Sequence, residues 1–146
     1  MDDTQVDTTQ LDEDQVTDIL TSARTIAVFG ASTNPVKAAN KIPAVLIEAG
    51  YTVIPVHRTA SEILGQKAYP TLADIPVAVD IVDVFRPSDE VPDVVRNALA
   101  IGAPTIWVQL GITSDEGRRL AKEAGVNYIE DSCIGATVLN QGIKVA

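Results

Sequence analysis

Most features that announce a function outright are missing from this chain. No apolar stretch approaches the roughly 18 residues of a membrane-spanning helix, so no membrane partner is expected. A single cysteine, Cys133, excludes an internal disulfide and any cysteine-rich metal site. Aromatic residues make up only 4%, which leaves Val, Ile, Leu and Ala to fill the core. Bases are scarce as well: 11 Lys and Arg stand against 20 Asp and Glu, for a formal charge of -9. That balance opposes nucleic acid and anionic membranes, which both reward basic surfaces. An anionic ligand is left with a local site that concentrates amide dipoles and a few cations.

Residues 1–14 are acidic and polar, unlike the basic start and apolar middle of a signal peptide. A cytoplasmic location is the expectation. Asp2, Asp3, Asp7, Asp12, Glu13, Asp14 and Asp18 put seven acids and no base in the first 18 residues. This reads as a solvated N-terminal segment, 1–23, that leads into a short helix. The remainder, 24–146, has the size of one domain.

What is present alternates. Apolar, β-prone runs at 25–29, 51–56, 80–85, 105–110 and 128–130 read as buried strands. Between them, apolar residues recur at helical spacing over 37–49, 88–100 and 114–124. Ser88 and Ser114 are the expected N-caps of the last two helices. Pro43 implies that the helix over 37–49 either begins near Ile42 or kinks. Residues 60–76 carry turn signals and suggest a short edge strand with one helical turn. The alternation specifies an α/β fold: a three-layer, doubly wound, Rossmann-like parallel sheet in a single domain.

Ligands of such sheets bind beyond the carboxyl ends of the strands. Those positions hold Gly30-Ala31-Ser32-Thr33-Asn34-Pro35-Val36-Lys37, then His57-Arg58, Arg86-Pro87-Ser88 and Gly111-Ile112-Thr113. In so acidic a chain, their small, hydroxyl and cationic character is informative. Gly30 permits a tight turn, and the helix after it offers free amides to phosphate. The dinucleotide fingerprint G-x-G-x-x-G is absent, because only Gly30 of its glycines occurs. An NAD site would place an acid after the second strand; His57-Arg58 stand there and favour a ligand with an additional ribose phosphate, as in NADP or coenzyme A. Asp80 and Asp83 are three apart on a strand, face opposite sides, and are no acid–base pair. Arg86 pairs with a carboxylate or faces the ligand. Cys133 lacks an evident activating base and reads as an inert thiol. No catalytic set and no metal site emerge.

The stretches Ile26-Ala27-Val28-Phe29-Gly30-Ala31-Ser32, Gly50-Tyr51-Thr52-Val53-Ile54-Pro55-Val56, Val79-Asp80-Ile81-Val82-Asp83-Val84-Phe85-Arg86 and Ile106-Trp107-Val108-Gln109-Leu110-Gly111-Ile112 together resemble a known family. It is that of the small stand-alone CoA-binding proteins, whose domain is similar to the CoA-binding domain of succinyl-CoA synthetase α subunits. The resemblance implies phosphate contacts from Gly30, Ala31, Ser32, Thr33 and Lys37. It further implies adenosine near His57-Arg58, and a pocket completed by Phe85, Arg86, Pro87, Gln109, Leu110 and Gly111. The family often has Asn-Pro where His57-Arg58 stand. The expected function is to bind coenzyme A or an acyl-CoA at the C-terminal edge of the sheet, as a non-catalytic or regulatory protein. The alternatives are an NADP-dependent oxidoreductase and a trans-acting subunit of an acyl-CoA ligase. A homodimer or a ligase partner chain is the expected macromolecular company.

Overall fold

The structure, a computed structural model, describes residues 11–145; the early acids Asp2, Asp3 and Asp7 lie outside them. The strands are β1 (Thr25–Phe29), β2 (Thr52–Val56), a small hairpin of β3 (Glu62–Ile63) and β4 (Gln66–Lys67), then β5 (Ile81–Val84), β6 (Thr105–Val108) and β7 (Asn127–Ile129). Five of them form one parallel sheet in the order β2-β1-β5-β6-β7. All four residues of β5 and of β6 are buried. Both faces of the sheet are covered, so continuous apolar runs replace an in–out alternation.

The helices are α1 (Glu13–Ser22), α2 (Ala38–Glu48), α3 (Val91–Ala100), α4 (Asp115–Ala124) and α5 (Ile134–Asn140). One face of the sheet packs Val28, Ile81 and Trp107 against Leu20, Leu46, Ile134 and Val138 of α1, α2 and α5. The other packs Val82, Val84, Ile106 and Val108 against Val91, Val94 and Val95 of α3 and Ala121 of α4. Helix α1 opens with a reciprocal capping box between Asp12 and Gln15. Such a cap contributes about 1 kcal/mol, whereas burying a leucine contributes about 1.5–3 kcal/mol. Leu20, fully buried, therefore holds α1 to the sheet more firmly than the cap does. The Tyr51 hydroxyl donates to the Leu20 carbonyl, and Thr17 donates to Gln141 of the C-terminal segment at 2.7 Å.

The chain runs from β1 outward to β2, then crosses back to lay β5 on the other side of β1. Strand order reverses between β1 and β5, which opens a crevice at their carboxyl ends. Gly30 lines this crevice at φ +88°, where a Cβ would sit 2.6 Å from the Phe85 carbonyl oxygen. Only glycine meets both conditions.

Two local expectations are corrected. Helix α2 does not begin near Ile42; it starts at Ala38 and runs through Pro43. Proline cannot donate to the Ala39 carbonyl four residues back, and the Ser32 amide donates to that carbonyl instead at 3.1 Å. Ser88 is not the N-cap of α3. The fixed geometry of Pro87 starts a 3-10 turn over Ser88–Glu90, α3 follows from Val91, and the Ser88 hydroxyl receives the Thr113 amide at 3.4 Å. The edge segment has the expected short edge pairing, a bridge from Tyr69 to Val56, and the expected helical turn, a 3-10 turn over Leu72–Asp74; a hairpin turning at Leu64 and Gly65, both at positive φ, precedes them. Helix α5, seven residues with Gly135 and Thr137 inside, has too few apolar positions to declare a helical period and was not expected.

Candidate functional site

A cavity of about 820 Å³ opens at the reversal point, within the size range of small-ligand sites. Gly30, Ala31 and Ser32 form one wall with Lys37, Ala38 and Ala39 at the start of α2. His57 and Arg58 stand on the β2 side, and Phe85, Arg86 and Pro87 on the β5 side. Nine of the residues singled out from the sequence thus share one cavity. Thr33, Gln109, Leu110 and Gly111 are not among its lining residues. Gln109 is buried and accepts the Ile134 amide at 3.2 Å, which ties the β6 end to α5. The Gly111 amide is taken by Asp131 at 2.7 Å. Ile112 lines the cavity from that loop instead.

The loop after β1 has spent most of its amides internally. Gly30 donates to the Val56 carbonyl, Ser32 to Ala39, Asn34 to the Ser32 hydroxyl, Val36 to the Asn34 side chain and Lys37 to the Asn34 carbonyl. The loop is consequently rigid, and the donors it leaves lie further along. Lys37 occupies the N-cap of α2 without a side-chain cap, and the first turn carries no acid. Among the described residues no acceptor is recorded for the amides of Ala38 and Ala39, both in the cavity wall. An uncapped helix start with a cation beside it attracts an anion. The start of α2 was a general expectation of the sequence; the two alanine amides left no side-chain signal to find them by.

His57 closes its own loop. Its Nδ1 accepts the amides of Thr59 at 3.1 Å and Ala60 at 2.8 Å, so a neutral ring carries its proton on Nε2. An asparagine side-chain oxygen would close the same turn by the same geometry. The imidazole adds a second polar atom on the ring's far edge in a cavity-lining residue.

Arg86 is partnered. Its Nε and Nη2 donate to the two carboxylate oxygens of Glu90 at 3.0 and 2.8 Å. The hydrogen bond from Arg86 holds the Glu90 carboxyl below the usual carboxylate range, and the charges of Arg86 and Arg58 act in the same direction. Of the two expectations for Arg86, pairing with a carboxylate is met by Glu90; its spacing of four residues from Arg86 was the available signal. Asp83 lies inside the sheet, fully buried, and neither side-chain oxygen has a hydrogen-bond partner. Burial raises its carboxyl well above the ordinary value. Asp80 faces elsewhere and accepts the amides of Arg24 and Thr25, both at 2.9 Å. Cys133 caps α5, its sulfur accepting the Ala136 amide at 3.4 Å. The described residues hold no cluster of potential metal ligands and no helix long and apolar enough to cross a membrane.

Comparison with known proteins agrees with this geometry. The CoA binding domain family matches residues 24–138. The uncharacterized protein YneT of Bacillus subtilis is 38% identical over 120 residues, spanning 82% of this chain and 89% of that protein. The α subunit of acetate–CoA ligase (ADP-forming) II of Pyrococcus furiosus is 30% identical over 129 residues, but this chain spans only 28% of its length. Among solved structures, cell-free ID.343 from Thermus thermophilus superposes with a TM-score of 0.85 at 35% identity, covering 89% of this chain and 98% of that one. The dinucleotide-forming acetyl-coenzyme A synthetase 1 of Ca. Korarchaeum cryptofilum, in complex with phosphate and ADP, gives 0.67 at 31% identity, covering 75% and 26%. On its switch-point crevice, its sheet order and these matches, the chain belongs to the CoA binding domain family.

Proposed function

We propose that the cavity at the start of α2 binds coenzyme A or an acyl-CoA, and that the protein acts as a binding or regulatory module rather than as a catalyst. The observation that carries this reading is the uncapped start of α2, where Lys37 and two alanine amides face a cavity that also holds Arg58 and Arg86. On a chain of net charge -9, a wall with three cations and one carboxylate is a local exception. Ligand phosphate occupies the helix start, while Arg58 and the Nε2 atom of His57 face the ribose side and its extra phosphate. Among the described residues lining the cavity no nucleophile is paired with a base, which supports a binding role. Similarity to a ligase α subunit favours one further reading, service to an acyl-CoA ligase in trans. Copurification of such a ligase chain from cells tests it.

Thermal shift against CoA, dephospho-CoA, NADP, NAD and ATP tests the main reading. A ligand at 100 times its dissociation constant adds about 2.7 kcal/mol to the folded state, a shift of several degrees for a domain of this size. CoA produces the largest shift. A larger shift with NADP, or none with CoA, overturns the proposal.

A further inference from the structure

Among the described residues lining the cavity, Glu90 is the sole carboxylate. It is also the residue that occupies Arg86. The aliphatic stem of Arg86 lies across Gly30, close enough that a Cβ there would come within 2.8 Å of its Cδ. That contact sets the stem of Arg86 beside the β1 loop, in the cavity that the start of α2 also lines. In this arrangement the fork of Arg86 is engaged by Glu90, within the same cavity wall, through two hydrogen bonds. Glu90 also lies close enough to Arg58 for that charge to act on its carboxyl.

Resting on the phosphate-binding reading above, we propose that Glu90 is an internal competitor for Arg86, a carboxylate that a ligand phosphate must displace, and that it thereby sets the affinity and charge selectivity of the site. The exchange is physically accessible. The two side chains are 38% and 45% exposed, and ion pairs that solvent reaches are weak. A phosphate brings more charge than a carboxylate and accepts the same bidentate fork. The competitor leaves Lys37 and Arg58 available at all times but releases Arg86 only to a strongly anionic group. Weakly charged adenosine compounds gain no access to Arg86.

A double-mutant cycle read by titration calorimetry with CoA tests this. Glu90→Gln keeps the size of the side chain and removes its charge. It tightens CoA about three- to tenfold, because the fork no longer has to be exchanged. In an Arg86→Met background, where the stem over Gly30 is kept and the fork is gone, Glu90→Gln changes the affinity less than twofold. Equal affinity of wild type and Glu90→Gln for CoA overturns the competitor and leaves the binding site standing. A gain that persists in the Arg86→Met background overturns it too, by making Glu90 a general repulsive charge. Absence of CoA binding in wild type and Glu90→Gln alike overturns the cavity assignment and the competitor with it. Melting temperatures within about 2 °C of wild type, from stability changes under 1 kcal/mol, are the check that all four proteins are folded.

Discussion

Two helix starts in this molecule solve the same problem in opposite ways. Helix α4 caps itself: the Ser114 hydroxyl receives the Gly117 amide at 2.9 Å, and Asp115 and Glu116 place negative charge in the first turn. Helix α2 leaves its start open, with Lys37 at the N-cap, no side-chain cap and no acid in its first turn. Both follow strands at the carboxyl edge of the same sheet. A cap stabilises the helix by about 1 kcal/mol, so leaving α2 uncapped has a cost in stability. A site that takes an anion from outside recovers that cost only when the anion is bound. The contrast teaches that the start of α2 combines a missing side-chain cap, a cation and an acid-free first turn, the features on which the proposed site rests.

The change expected to break the contrast most severely is Gly30→Val. A Cβ there meets the Phe85 carbonyl at 2.6 Å and must hold φ near +88°. The loss of stability is about 2–5 kcal/mol, and the rigid loop that presents the start of α2 is lost with it. Chemical denaturation measures it; a loss below 1 kcal/mol means the crevice walls are not in the contact described.

Asp83 supplies the next test, because it sets an unpaired carboxyl beneath the edge where Glu90 is paired. Its folded-state pKa is raised by burial, so the fold holds the protonated form. Stability is fully present below the ordinary carboxylate range and is lost as pH rises through the raised value. Asp83→Asn keeps the shape and cannot ionise. Its melting temperature stays level with rising pH where that of wild type falls, until the buried phenols Tyr51 and Tyr128, both raised by burial, begin to ionise. Parallel curves for the two proteins remove Asp83 from the account.

Smaller again is Ser114→Ala, which turns the closed helix start into an open one without a cation. It costs about 1 kcal/mol, read by denaturation, and leaves CoA affinity unchanged. A loss of CoA affinity would show that α4 also serves the ligand.

How much of this was legible in the sequence depended on whether chemistry or geometry carried the signal. The five strands were legible because apolar runs on a doubly covered sheet need no alternation, and Ser114 opened α4 as its hydroxyl chemistry requires. Pro43 suggested a helix start near Ile42 or a kink, and the start lies at Ala38 instead. The carbonyl it leaves free finds the Ser32 amide across space, a partner that no helical pattern reveals. Ser88 failed as a cap because Pro87 ahead of it imposes a 3-10 turn. Gly30, Ser32, Lys37, His57, Arg58 and Arg86 were legible as a cavity because they all follow strands, and Phe85 was implied by the family resemblance. The amides of Ala38 and Ala39 were not, since a donor made of backbone has no letter in the sequence. The described part of α1 packs against the sheet through Leu20, a bond between the acidic segment and the domain that charge alone concealed.

One comparison of variants bears most directly on the open helix start as the ligand's anchor. Lys37→Ala and Lys37→Ser both remove the charge, but serine at this N-cap can also occupy the first-turn amides, as Ser114 does in α4. Titration calorimetry with CoA, alongside thermal melting, is predicted to give about tenfold weaker binding for Lys37→Ala, weaker binding still for Lys37→Ser, and a higher melting temperature for Lys37→Ser than for Lys37→Ala. If the serine variant melts higher and yet binds CoA as tightly as wild type, the start of α2 is an ordinary helix end and the ligand lies elsewhere.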